Sequence, residues 1–438
     1  MLRFRIATAL LAGFLPALAQ VGQYEGPSIL SRGGGRTGKV GDEFARIRVF
    51  GSLTGIYDSD LTPVTVTSDG KIPAVDGYGV EAGFGAYGVH NWRHDSVALN
   101  YRGNVRHYTN NSFLDGSDHL LSVEYSRQMT RRLIFELRPT AGIVSRSFGG
   151  LYSGGIVDPS VVAIPTDELF DARATFVEAQ GGFTYQQSAR MSYHASGSGF
   201  AVRRRSAALF GVNGWQASGD AMYRLSKTKT VGVTYSFMHF DFNKVFGDSA
   251  IHQVALTYAQ RLGRRWELSL SGGVFRIESQ GLIQVELDPV VAALLGQSTG
   301  IEAFHRSNYL TAVNASLSRV FRKSNLTFAY DRGVTPGNGI YLTSLRQGGT
   351  VNYSYTGIRH WHFNALAGYG QLDSLTRTLG RYQTYYGGGG VSRALGSSLH
   401  LTARADYRDY QSGNLKRNGV RVSVGLAFSP GDIPLSLW

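Results

Sequence analysis

The sequence predicts an all-β fold, a transmembrane antiparallel up-and-down β-barrel of about 18 strands. Three observations lead to this fold class. Hairpins with one apolar and one polar face repeat along the chain, charged residues are sparse, and the N-terminus resembles a secretion signal. A two-faced hairpin that repeats without helical domains between its copies has to form a closed sheet, because open sheet edges are not tolerated inside a bilayer.

The hairpin pattern is clearest in residues 254–275. Val254, Leu256 and Tyr258 alternate with small residues, a basic turn at 263–265 follows, and the alternation resumes from Trp266 to Val274. Successive side chains of a strand point to opposite faces, so the pattern indicates two strands with one apolar face each. The segment 252–258 also repeats the segment 119–125, and both run into Arg-Arg and then Glu-Leu, which supports a barrel built from duplicated hairpins.

Composition agrees with a membrane barrel. The 438 residues include 56 Gly, 24 Tyr and 23 Phe, and only 17% are charged, against about 25% in typical proteins. The chain has no Cys, which excludes a disulfide framework and a Cys-ligated metal. The formal net charge of +13 is compatible with nucleic acid, an acidic polymer or an anion-favouring pore. Secretion and the lack of a long Lys/Arg block argue against nucleic acid.

The N-terminus has the three parts of a signal peptide, which we place at residues 1–19. Arg3 and Arg5 form the basic part, 6–15 the apolar part, and 17–19 the cleavage site. The apolar part is too short to cross a bilayer as a helix. Residues 20–43, rich in Gly and polar side chains, are expected to form a loose periplasmic lead-in.

The barrel is expected to occupy residues 44–429, followed by a C-terminal tail at 430–438. The predicted strands are 44–57, 77–90, 95–107, 118–129, 133–148, 171–187, 191–203, 213–225, 230–242, 250–261, 266–278, 306–319, 324–335, 341–356, 361–372, 381–393, 398–411 and 419–429. The links from even to odd strands are short, and most links from odd to even strands are long. Bacterial barrels have short periplasmic turns and long extracellular loops, so both termini should be periplasmic.

The last strand ends in an aromatic residue. Val420, Val422, Val424 and Leu426 alternate and finish at Phe428, which resembles the terminal signal that the barrel-insertion machinery reads. Residues 44–429 as a whole resemble a bacterial outer-membrane β-barrel of the porin-like class. The hairpins at 125–127 and 318–323 are similar to those of large barrels encoded with polysaccharide export systems. The resemblance implies a location in outer-membrane lipid.

Side chains opposite the apolar stripes should face the lumen. On the first, third, seventeenth and eighteenth strands many of them are arginines, and closure brings these strands together. One interpretation is an anion path, because Arg stays charged and binds carboxylate or phosphate in a fork. The other is an ion-pair lattice in which Glu81, Glu124 and Asp406 neutralise the stripe. The predicted pore-lining residues are Arg46, Arg48, Arg102, Arg106, Arg404, Arg408 and Arg421.

Two long loops carry apolar runs, at 156–164 and 288–295. Each run is either a constriction folded into the pore or a self-packed external cap. In the second run Asp288 can cap a short helix, and Pro289 suits its first position. The loops 149–170 and 279–305 therefore decide whether the pore is open.

Signals for chemistry are poor. Ser192, His194 and Ser196 share a predicted strand, but no nucleophile, base and orienting group have a recognisable spacing. His360 and His362 are expected near a periplasmic turn. Asp58, Asp60 and Asp69 are expected in the first long loop, where they either bind a divalent cation or remain solvated. We therefore predict no enzyme activity, no metal and no cofactor.

The sequence thus predicts an outer-membrane channel for passive permeation of small, anionic solutes. The alternatives are an export conduit for an anionic polysaccharide and an outer-membrane barrel hydrolase. Barrels of about 16–18 strands commonly leave an aqueous lumen. The solute, the oligomeric state and the exact strand number do not follow from the sequence.

Overall fold

A computed structural model describes residues 48–61, 75–109, 112, 115–144, 173–205, 209–337, 339, 342–375, 380–412 and 415–429. The expected signal peptide, lead-in and tail lie outside these residues, as does the loop 149–170. Eighteen strands form one antiparallel sheet. They are β1 Arg48–Leu61, β2 Val75–Asn91, β3 Asp95–Tyr108, β4 Gly116–Gln128, β5 Leu133–Val144, β6 Ala174–Gln186, β7 Met191–Arg204, β8 Val212–Ser226, β9 Lys229–Phe242, β10 Gly247–Leu262, β11 Trp266–Glu286, β12 Thr299–Val320, β13 Ser324–Thr335, β14 Ser344–Tyr355, β15 Trp361–Ser374, β16 Tyr382–Ala394, β17 Leu399–Ser412 and β18 Leu415–Phe428.

The sheet closes on itself. Each strand pairs with its neighbours in the chain, and β1 pairs with both β2 and β18. At the closing seam Gly51 faces Phe428, so the terminal strand ends as the sequence predicts. The predicted fold class, a closed up-and-down barrel, is confirmed.

The outer face is apolar because alternate side chains point away from the barrel. Leu256 and Val254 are 70% and 53% exposed, whereas Ala255 between them is 3% exposed. The same alternation gives exposed Leu53 on β1 and Val424 on β18. An outward apolar band on a closed sheet is the form in which strands cross a bacterial outer membrane.

Short turns and long connections lie at opposite ends. The start of β1, the end of β18 and the turns 92–94, 263–265 and 321–323 share one end, which we call the short-turn rim. The other end is the long-loop rim. Outer-membrane barrels direct their short turns to the periplasm.

The hairpin of β11 and β12 is longer than the sequence predicts. Its strands pair without interruption up to Glu286 and Thr299, whereas β10 begins only opposite Gly281. The tip carries one short helix, α1 Pro289–Leu295. Asp288 caps it by accepting a hydrogen bond of 2.9 Å from the Val290 amide, as predicted, and Gly296 ends it at φ 65°. No helix among the described residues is long and apolar enough to span a membrane.

The hairpin of β13 and β14 separates from β12 near the long-loop rim. Pairing between β12 and β13 stops at Val313 and Arg332, although both strands extend further towards the long-loop rim, β13 as far as Thr335. Beyond this point Val334 is buried at 8% exposure, and a Cβ built at Gly333 would lie 3.8 Å from the ring of Phe275 on β11. The end of the hairpin therefore packs against the inner face of the barrel.

Candidate functional site: the barrel interior

The interior of the barrel has two different walls. The wall formed by β17, β18 and β1–β4 carries charged side chains, and the wall formed by β6–β11 carries apolar ones towards the long-loop rim. Strand alternation fixes both, since successive side chains of a strand point alternately to the interior and to the outside. The connection between β13 and β14 lies against the apolar wall.

On the charged wall an ionic cluster consists of Asp58, Glu81, Arg106, Asp118 and Arg421. The register places Asp58 opposite Arg421 and Glu81 opposite Arg106. The side chains of Arg106, Arg421, Asp58 and Asp118 are at most 7% exposed. Such buried charges are stable only when they are paired.

Both arginines of the ionic cluster contact carboxylates. Arg421 Nη2 lies 2.8 Å from Glu81 Oε2, and its Nε lies 3.9 Å from Asp58 Oδ1. Arg106 Nη2 lies 3.2 Å from Asp118 Oδ2, and its Nε lies 3.9 Å from Glu81 Oε2. The Tyr108 hydroxyl donates to Asp58 Oδ2. Two guanidinium groups thus face three carboxylates.

A second ion pair lies on β17. Arg404 and Asp406 are two residues apart on one face, and two hydrogen bonds of 2.7 Å join the guanidinium to both carboxylate oxygens. Arg408, on the same face, is 4% exposed. The charge of Arg404 is therefore matched inside its own strand.

Two further interior arginines bind neutral acceptors. Arg102 Nε donates to Asn100 Oδ1 at 3.3 Å, and Arg138 Nη2 donates to Gln180 Oε1 at 2.7 Å. An amide oxygen satisfies a donor without cancelling its charge. Glu124 also points inward and is exposed.

The structure brings together five of the seven predicted pore-lining arginines. Arg102 and Arg106 on β3, Arg404 and Arg408 on β17, and Arg421 on β18 all face the interior. Arg46 and the Arg48 side chain lie outside the described parts of the chain. Of the predicted neutralising residues, Glu81 and Asp406 form ion pairs with arginines.

Two members of the ionic cluster were not predicted from the sequence. Asp58 was expected in a loop, but it lies on β1, which extends to Leu61, and it is fully buried. The expectation of a solvated or cation-binding Asp58 is wrong, because Arg421 and Tyr108 hold its carboxylate. Asp118 opens a predicted strand without a recognised partner. Asp58 has the opposite parity to outward-facing Leu53, and Asp118 the opposite parity to outward-facing Leu121, so strand alternation could have placed both inside.

The apolar wall is a cluster of interior side chains near the long-loop rim. It includes Phe176, Phe200, Phe240, Phe275 and Ile277, each at most 7% exposed. They come from four different strands, β6, β7, β9 and β11, and cross-strand register stacks them at similar heights. Apolar groups are therefore removed from water inside the barrel as well as facing lipid outside it.

The connection between β13 and β14 rests on this wall. We call Pro336, Gly337, Gly339, Leu342 and Thr343 the infolded segment. Leu342 joins the apolar cluster, and Thr343 is completely buried. All five residues are buried, so the segment lies inside the barrel.

Contacts with distant strands fix the infolded segment. Thr343 Oγ1 lies 2.6 Å from Ser249 Oγ on β10, which in turn lies 3.0 Å from Ser279 Oγ on β11. The Gly339 carbonyl accepts a hydrogen bond of 3.1 Å from the Phe210 amide, before β8. Gly339 has φ 91°, and a Cβ there would lie 2.7 Å from Arg204 Nε, so both its conformation and its surroundings favour glycine.

The loop at 279–305 is not a constriction. It is the end of the β11–β12 hairpin, and its apolar residues Val290, Leu294 and Ile301 are 68–81% exposed. The expectation that it folds inward is wrong, because these three side chains are exposed. Continuous pairing of β11 with β12 holds it away from the barrel.

The candidate catalytic and metal residues have ordinary roles in the sheet. His194 Nδ1 lies 2.9 Å from Thr184 Oγ1, and Ser196 Oγ lies 2.7 Å from Ser218 Oγ. His360 lies in an exposed turn with φ 66°, while His362 is on β15. Within the described ranges no group of three or more potential ligands could hold a metal ion.

A closed barrel with an apolar outer face and a charged interior defines the class. The chain is a transmembrane β-barrel of the bacterial outer-membrane type. No protein-family model and no curated protein matches the sequence.

Three solved bacterial proteins illustrate what this chain is similar to. OccK2 (OpdF) of Pseudomonas aeruginosa has 12% identity and a TM-score of 0.43, covering 87% of this chain and 98% of that chain. OccK9 (OpdG) of the same organism has 14% identity and a TM-score of 0.43, covering 89% and 99%. A BenF-like porin from Pseudomonas fluorescens Pf-5 has 11% identity and a TM-score of 0.43, covering 87% and 98%. Identities this low assign no solute to this chain.

Proposed function

We propose that the protein is an outer-membrane channel for small solutes with a weak preference for anions. The infolded segment carries this proposal. It enters a closed barrel from β13 and β14 and reaches β10 and Phe210, opposite a wall of charged side chains. A solute passing through the barrel would have the apolar wall and this segment on one side and charges on the other.

The preference for anions rests on Arg138. Its guanidinium donates to the amide oxygen of Gln180, whereas Arg106, Arg404 and Arg421 contact carboxylates. Fixed charge in a narrow lumen acts on ions strongly, because low-dielectric walls focus the field. The paired arginines contribute little to selectivity, so the preference should be weak.

Planar-bilayer recording tests the channel. We expect stepwise conductance from the purified protein, and a severalfold increase when residues 337–342 are replaced by two glycines. The control replaces residues 289–294 of α1 in the same way and should leave conductance unchanged, because the tip of the β11–β12 hairpin lies outside the barrel. A folded barrel without conductance in both the wild type and the 337–342 variant would overturn the proposal.

Reversal potentials in a salt gradient test the preference. Arg138→Gln should shift the reversal potential towards cations, and the shift should shrink at high salt, where the Debye length falls from about 10 Å at 0.1 M to about 3 Å at 1 M. Arg404→Gln with Asp406→Asn removes an internal ion pair and is the matched control, with no shift expected. A wild-type channel that already prefers cations at low salt would contradict the anion preference but not the channel.

A further inference from the structure

The turns of the short-turn rim carry an unusual charge. Seven of the eight turns contain an exposed Arg or Lys, and none of the eight contains an acidic residue. The turns contribute the basic residues Arg93, Arg131, Arg190, Lys227, Arg264, Arg322 and Arg359, which we call the basic rim. The long-loop rim, in contrast, also exposes acids such as Asp241 and Asp288. The barrel therefore has one strongly positive end.

Six of these seven turns also have an exposed large apolar side chain one or two residues before the basic one. These side chains are between 41% and 53% exposed, and they are Trp92, Met129, Leu225, Leu262, Val320 and Ile358. An apolar side chain beside a cation is the arrangement that suits a bilayer interface, with the apolar group in the acyl region and the cation among the headgroups.

Guanidinium groups also lie over aromatic rings at the ends of the strands next to the short-turn rim. Arg319 Cζ lies 4.8 Å from the ring centroid of Trp266 and 4.3 Å from that of Phe321. Arg393 Cζ lies 5.2 Å from the ring of Trp361. Trp and Tyr concentrate at the headgroup level of membranes, so these contacts place the ends of the strands in the interface.

We propose that the basic rim binds the headgroups of anionic phospholipids in the periplasmic leaflet. The distribution of the residues favours lipid over an acidic protein. Turns between β2 and β15 all contribute, so the charge surrounds the barrel as the lipid annulus does, and a protein docked on one side would meet only part of it. If an acidic protein bound the basic rim through charge alone, the apolar side chains beside the cations would remain exposed to water.

Quenching by brominated lipids tests the proposal on the full-length, reconstituted protein. Trp92, Trp266 and Trp361 lie at the basic rim, and replacing Trp215 and Trp438 by Phe leaves these three as reporters. The vesicles contain brominated phosphatidylglycerol or brominated phosphatidylcholine at the same fraction. We expect phosphatidylglycerol to be preferred about fivefold, the effect of one cation near an anionic surface, and to lose this preference at high salt.

Two quadruple variants have the same change in charge. Arg131, Arg132, Arg264 and Arg265 are changed to Gln in the first, which should reduce the preference. Arg203, Lys244, Arg276 and Arg306, exposed near the long-loop rim, are changed to Gln in the second, which should retain it. Heat-dependent gel mobility confirms that both barrels are folded.

Three results would overturn the proposal. The wild type could quench equally with both lipids, the first variant could retain the preference, or both variants could lose it to the same extent. If soluble polyglutamate shifted the emission of the rim tryptophans while neither lipid was preferred, an acidic protein partner would replace the lipid.

Discussion

Removing Arg421 should strongly destabilise the barrel, because its guanidinium joins two carboxylates across the closing seam. It contacts Glu81 on β2 at 2.8 Å and Asp58 on β1 at 3.9 Å. At an effective dielectric constant of about 20, these distances correspond to gross attractions of about 6 and about 4 kcal/mol. The desolvation of the three groups offsets much of this in the wild type.

The variant Arg421→Gln keeps the desolvation of the carboxylates and loses the attraction. Removing one partner of a buried ion pair costs about 3–5 kcal/mol, and we expect a loss in that range. The measurement is urea unfolding of the reconstituted barrel under reversible conditions, followed by tryptophan fluorescence. Arg322→Gln, on an exposed turn, is the control and should change the free energy of unfolding by less than about 0.5 kcal/mol.

A second substitution separates charge from packing. In Arg421→Gln with Glu81→Gln, Asp58 still accepts from Tyr108, and Arg106 still contacts Asp118 at 3.2 Å. The double variant should therefore recover part of the lost stability. If Arg421→Gln cost less than about 1 kcal/mol, or if the double variant were less stable than the single one, the assignment of the ionic cluster as a stabilising network would be wrong.

Three further predictions concern topology, packing and the infolded segment. Because the chain has no Cys, single cysteines at Leu294 and Arg264 can be labelled on whole cells, and only the cysteine at 294 should react from outside; labelling at 264 would reverse the orientation. Gly273→Ala should cost about 1–3 kcal/mol, because a Cβ there would lie 2.0 Å from the Val254 carbonyl oxygen, whereas Gly272→Ala has nothing within 4 Å and should be neutral; equal effects in urea unfolding would refute this. A disulfide between cysteines at Ser249 and Thr343 should form readily and leave conductance unchanged, and a failure to cross-link would contradict the position of the infolded segment.

The strands could be predicted because the lipid imposes a strict rule on the sequence. Every second residue of a spanning strand must be apolar, and the alternation locates eighteen strands whose ends lie within four residues of those observed, apart from β11 and β12. These two run to 286 rather than 278 and start at 299 rather than 306. This rule does not apply outside the bilayer. The part of the β11–β12 hairpin that projects from the barrel therefore has no alternation from which it could be predicted.

The interior could be predicted only in part. Strand parity places Arg102, Arg404 and Arg421 inside, because side-chain direction is local information. Strand parity does not show whether an interior arginine contacts a carboxylate. That contact determines whether the charge of the arginine acts on a solute. Arg421 and Glu81 are 340 positions apart in the sequence, and only closure of the barrel brings them to 2.8 Å.

The infolded segment could be predicted from the sequence even less well than the interior arginines. The apolar runs at 156–164 and 288–295 suggested constrictions because exposed apolar residues usually require burial. The segment that does lie inside contains two glycines and a threonine, and its anchor on β10 is 94 positions away from Thr343. Its burial depends on a surface assembled from β6–β11, which exists only after those strands have paired. A short polar connection can therefore fill a barrel when the wall opposite it is apolar, and hydropathy of the loop alone is the wrong guide to pore constriction.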